Sequence, residues 1–234
     1  MTRLLVGLLT MLTAPVALSA QAPDDVLAAA QSLRRQVAEL QRAERDLMPP
    51  GGASVLEPAD DDALERRTHL RAEVMRNLEV LLAAGPAGRT EIQRLAVEFP
   101  SADLVRRAEI RAAFVADEPD EVLALADRMR ISVPRDTQLL RWRAEAYEAL
   151  GRQAEALQAR QARWELAPED GEAWRALVRA HERAGSLERL RESVARLRLL
   201  HPASTVVREQ EMEILHRLGR YDEAARVAPG TDGP

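Results

Sequence analysis

An all-α fold of stacked antiparallel helix pairs is predicted by three observations. Proline recurs at Pro100, Pro134, Pro168 and Pro202, 34 residues apart over three successive intervals. Glycine keeps the same interval at Gly151, Gly185 and Gly219. The chain is dominated by Ala, Leu, Arg and Glu, all strong helix formers, and aromatics make up only 3%.

Residues 1–20 read as a secretory signal peptide. Arg3 is a short positive start, Leu4 to Leu12 an apolar stretch, and Pro15 a helix breaker ahead of the small residues Ala17, Ser19 and Ala20. Cleavage is expected after Ala20, with Ser19 as second choice, which places the mature protein in the periplasm or outside the cell. Removing Arg3 takes the formal charge from −5 to −6. The apolar stretch is shorter than the roughly 20 residues of a membrane span, so no span is expected after cleavage. There is no cysteine, so neither lipid attachment through a new N-terminal Cys nor a disulfide is open to this chain.

Residues 24–47 carry apolar side chains at Val26, Ala30, Leu33, Val37, Leu40 and Leu47, a heptad stripe missed only at Glu44. It suits either self-association through residues 24–47 or a helix packed onto the repeats. Residues 48–62 (MPPGGASVLEPADDD) read as a linker, with three prolines and two glycines. Its acidic end, Asp60-Asp61-Asp62, is expected to be a solvated helix start favoured by the helix dipole rather than a metal site.

Within the periodic region each Gly follows a first helix, where a left-handed residue ends the helix without a Cβ clash. Each Pro follows a second helix and stops it. Ser101, Asp136, Asp170 and Ser204 are the expected caps of the next first helices. The units run 101–134, 135–168, 169–202 and 203–229, with 230–234 as a tail. Residues 63–100 form a degenerate capping pair, Leu70 to Ala84 and Thr90 to Phe99, joined by Gly85-Pro86-Ala87-Gly88.

This punctuation resembles the tetratricopeptide repeat family over roughly residues 101–229. The resemblance is carried by Leu140, Ala144, Tyr147, Gly151, Ala156 and Pro168, by Trp174, Leu177, Gly185 and Pro202 in the next unit, and by Gly219 and Tyr221-Asp222-Glu223-Ala224 in the last. Arg143, Arg160 and Arg163 depart from it in slots that are usually apolar, and Asp117 stands where Gly is usual. The resemblance implies a right-handed superhelical stack whose first helices line a concave groove. A weaker likeness is to periplasmic coordinators of the TolA-binding type, carried by the order of signal, helical segment and repeats and by the openings Phe99-Pro100-Ser101 and His201-Pro202-Ala203-Ser204.

No G-x-S-x-G, H-E-x-x-H, Walker or dinucleotide loop occurs, so neither catalytic residues nor a metal or cofactor is expected. His181 holds the slot of Tyr147 one unit earlier, which points to packing. The negative net charge argues against general nucleic-acid binding. The expectation is an exported scaffold or adaptor that holds another protein or a peptide. An enzyme or enzyme-associated subunit with an unrecognised hydrolytic site is the alternative, and a small-molecule or lipid carrier is third. The groove positions implied by the resemblance are Leu104, Arg107, Arg111 and Phe114, then Arg141 and Glu145, then Arg175, Arg179 and Arg183, and finally Glu209. Arginines repeated at one position suit a carboxylate-bearing partner. The bland alternative is a solvated face on which Glu145, Glu148, Glu172 and Glu182 neutralise those arginines.

Overall fold

A computed structural model describes residues 23–47, 61–130 and 135–228. The expected signal peptide, most of the 48–62 linker, Pro134 and the 230–234 tail lie outside the described residues. The described chain is helical throughout, with eleven helices and no strand, as composition and period predicted. It divides into two compact units, Met1–Ala108 and Glu109–Pro234.

In the first unit α1 (Pro23–Asp46), α2 (Asp61–Ala83) and α3 (Gly85–Glu98) pack on one another. The stripe of α1 turns inward, and Val26, Ala30, Leu33, Val37 and Leu40 are all buried. Its apolar surface is therefore covered within its own chain. Polar contacts align the three helices: Arg34 Nε donates to Glu98 at 2.8 Å, and Asn77 donates its amide to Gln36 at 2.6 Å. The acidic run does start a helix, with Asp61 and Asp62 in the first turn of α2.

Two expectations are corrected here. Gly85-Pro86-Ala87-Gly88 is not a separate connecting loop. Gly85, at φ 62°, turns the chain as α3 begins, and Pro86 lies in the first turn of α3, where its missing N–H costs nothing. Ser101 does not cap the following helix, because α4 (Asp103–Val115) begins two residues later and the Ser101 hydroxyl accepts a bond from Gln41 at 2.9 Å.

The second unit takes in the end of α4 and then α5 (Pro119–Arg130), α6 (Thr137–Ala149), α7 (Gln153–Leu166), α8 (Gly171–Arg183), α9 (Leu187–Leu200), α10 (Thr205–Arg217) and α11 (Tyr221–Val227). From α5 onward each helix packs on its neighbours in the chain. Caps fall where expected on three of them: Asp136 accepts from the Gln138 and Leu139 amides, Asp170 from Glu172 and Ala173, and Ser204 from Val207.

The repeat shows most clearly at the ends of α4, α6, α8 and α10. Asp117, Gly151, Gly185 and Gly219 all have left-handed φ, between 57° and 73°. Beside each one the same pair of bonds closes the helix. In α8 the Gly185 amide donates to the Glu182 carbonyl at 3.0 Å, and the Ser186 amide to the His181 carbonyl at 2.9 Å. Equivalent pairs run from Asp117 and Glu118, from Gly151 and Arg152, and from Gly219 and Arg220. This is the Schellman turn, which satisfies carbonyls that a helix end leaves orphaned.

Apolar burial then joins one pair to the next. Trp164 and Trp174 pack with ring centroids 5.8 Å apart, among Leu177, Leu190, Val194 and Ile214. Both indoles also reach α10: Trp164 Nε1 donates to Gln210 at 3.0 Å and Trp174 Nε1 to Glu213 at 2.6 Å. A buried indole N–H needs such an acceptor.

Two substitutions test this account. Gly88→Ala should destabilise the chain by about 2–3 kcal/mol in urea unfolding, because a Cβ there would sit 1.8 Å from the Leu81 carbonyl oxygen. Asp117→Gly should raise stability by about 0.5–1 kcal/mol, since glycine adopts the observed φ of 57° without a Cβ clash. A loss of stability in the second case would show that the Asp117 side chain contributes more than its backbone conformation costs.

Candidate functional site

The chemically richest feature is a cleft of about 270 Å³ bounded by α6, α7 and α8 in the second unit. Periodicity explains its walls. Arg141 and Glu145 lie one turn apart on α6, while Arg179 and Arg183 do the same on α8. The floor comes from α7, whose Arg160 and Arg163 side chains are only 11% exposed.

These charges are organised into pairs. Arg141 Nε donates to Glu145 at 2.9 Å and lies 3.8 Å from Glu172. Glu148 takes Arg160 on one oxygen and Arg183, at 2.6 Å, on the other. Arg163 bonds Asp170 at 2.7 Å and approaches Glu172 at 3.5 Å. Arg179 is the exception: among the described residues its guanidinium forms no ion pair. Five arginines thus meet four carboxylates, leaving one surplus positive charge.

Two of the carboxylates, Glu148 and Asp170, are held in the ionised form by their partners. Burial pushes the Glu148 carboxyl up, but hydrogen bonds from Arg183 and Arg160 outweigh it and hold the group below the usual carboxylate value. Burial likewise opposes Asp170, and the Ala173 amide and Arg163 overcome it. The Arg141 guanidinium is pushed above its ordinary value, chiefly by its bond to Glu145.

The same pairing links successive first helices. Glu148 of α6 accepts from Arg183 of α8, and Glu182 of α8 accepts from Arg217 of α10 at 2.5 Å. Each bond spans 35 residues, one period plus one position. Such exposed pairs set register more than they add stability.

The cleft gathers Arg141, Glu145, Arg179 and Arg183 of the positions read from sequence. Arg175 is exposed on α8 beside Gly171 and does not line it, and Glu209 is exposed on α10. Arg111 and Phe114 are exposed near the end of α4, Phe114 at 40%. Leu104 and Arg107 belong to the first unit, where Leu104 lines a separate cavity of about 140 Å³ with Val37, Leu40 and Val74. Arg141 and Arg183 are neutralised by neighbouring glutamates, as the bland reading held.

Sequence reasoning missed Arg160 and Arg163 as site residues. Their signal was visible, since both replace the apolar residues expected on a second helix. What period alone does not reveal is that they point back beneath the first helices.

Compared with known proteins, the chain matches no family model and no curated protein.

Proposed function

We propose that this is an exported helical-repeat adaptor of the tetratricopeptide kind, which holds a partner protein in the cell envelope. Its N-terminal signal pattern supports export, and the repeated helix pairs with their left-handed turns support a stack with one face open to a partner. The partner presents a carboxylate, and the cleft of α6, α7 and α8 receives it.

The observation that carries this reading is the Arg179 guanidinium, exposed on the wall of the cleft and in no ion pair among the described residues, beside arginines that are already balanced. A cation left without a partner beside already paired arginines favours an anion, although Arg179 itself is exposed. One surplus charge matches one carboxylate. The neighbouring Arg141 and Arg183 are held by glutamates at 2.9 and 2.6 Å, so they orient the approach without being spent on the ligand. The flanking glutamates repel a second negative charge nearby, which makes the site selective for a single acidic group.

A peptide array of free C-terminal acids and matched amides, probed with the intact chain, measures this. Binding peptides should lose about tenfold or more affinity to Arg179→Glu. The melting temperature should hold, because Arg179 is exposed and has no ion pair to lose among the described residues. Equal capture by wild type and variant, or no preference for acids over amides, would remove the cleft from the function.

A further inference from the structure

His181 sits near the end of α8, only 5% exposed, and packing alone does not account for its contacts. Its Nδ1 lies 3.0 Å from both the carbonyl oxygen and the hydroxyl of Ser186, the residue that follows the left-handed Gly185. Only a protonated Nδ1 can donate to that carbonyl, which assigns the hydrogen to Nδ1. The ring therefore clasps the same turn that the Ser186 amide closes from the other side through the His181 carbonyl. Nε2 is buried and meets no hydrogen-bond partner.

That arrangement serves a neutral ring and fails a charged one. A proton added at Nε2 would be buried with no acceptor, so the imidazolium must swing toward water and surrender Ser186. Neighbouring charges offer no relief. On α8, Glu182 and Arg183 are exposed and paired with Arg217 and Glu148. On α7, Arg160 and Arg163 are committed to Glu148 and Asp170. From α9, Arg189 acts on the ring and opposes a second positive charge. The corresponding positions one unit before and after are Tyr147 and Leu215, so this clasp is particular to α8.

We propose that His181 is an acid-sensitive latch: its protonation frees the α8–α9 turn and, because α8 also carries Arg179 and Arg183, weakens the anion cleft. The second half rests on the carboxylate reading of that cleft; the first does not. The sign follows from linkage. Burial, then Arg189, lowers the ring below its ordinary 6.5 against the opposing bond to Ser186. The open form binds the proton more readily, so opening gains as pH falls below 6.5.

Nuclear magnetic resonance of the full chain tests both halves. The His181 ring should titrate below 6.5. Protection of the Gly185 and Ser186 amides, which donate to Glu182 and His181, should fall, after correction for intrinsic exchange, by up to about tenfold per pH unit, the limit for one linked proton. Amides in α6 and α7 should keep theirs. His181→Gln, which can still donate to Ser186 but cannot be protonated, should abolish the pH response. A ring titrating at or above 6.5 in wild type would overturn the latch even if the variant failed to fold. Uniform loss of protection across α6 to α10 would do the same.

For the cleft, the probe is N-acetyl-trialanine with a free C-terminus, still ionised at pH 5.5, with its amide as control. It should bind wild type about fivefold more weakly at pH 5.5 than at pH 7.5, and His181→Gln equally at both. Opening of the turn with unchanged probe affinity would overturn the coupling. Absence of probe binding at pH 7.5 would sink the carboxylate reading, while a titrating turn would still establish the latch.

Discussion

Everything periodic in this protein depends on a left-handed residue closing each first helix. A helix ends with several carbonyls unpaired, and burying them against a neighbour is costly. The turn at Gly151, Gly185 and Gly219 pairs two of them and reverses the chain in very few residues. The second helix then lies directly against the first, and both can bury apolar faces. Asp117 shows that the geometry, rather than glycine itself, is what the fold demands: it takes the same φ and makes the same two bonds.

With the turns in place, charged groups do a different job from apolar ones. Trp164, Leu177, Leu190 and Ile214 are almost wholly buried and supply cohesion. The arginine–glutamate pairs between α6, α8 and α10 lie nearer the surface, where each contributes little energy, but they recur at a fixed spacing and favour one register. Arg160 and Arg163 combine the two roles. Burying arginine where the repeat resemblance implies an apolar residue costs desolvation, and the carboxylates of Glu148 and Asp170 compensate. The result is a polar floor beneath the first helices, where a purely apolar second helix would leave none.

Helix content, the 34-residue period, the caps at Asp136, Asp170 and Ser204, and the apolar stripe of α1, though not what covers it, were legible in the sequence, because each rests on local chemistry or simple periodicity. Two local readings failed for equally local reasons. Pro86 can open a helix as readily as punctuate a loop, and a serine two residues early does not cap. The candidate site was half visible. Arg141, Glu145, Arg179 and Arg183 could be read from repeat positions, but those positions also nominated Arg175 and Glu209, which do not line the cleft.

By itself, then, the sequence determined which segments become helices, where they stop and which faces turn inward, since backbone propensity, capping and apolar spacing act over a few residues. Only the tertiary structure decided which charges cancel. Glu148 and Arg183 are 35 residues apart in the chain and 2.6 Å apart in space. Whether an arginine is neutralised, like Arg141, or left over, like Arg179, depends on distances of a few ångströms between different helices. The 35-residue spacing repeats Glu148–Arg183 as Glu182–Arg217, but it does not encode which of the other charges meet, because Coulomb and hydrogen-bond energies fall off with separation in space and not along the chain.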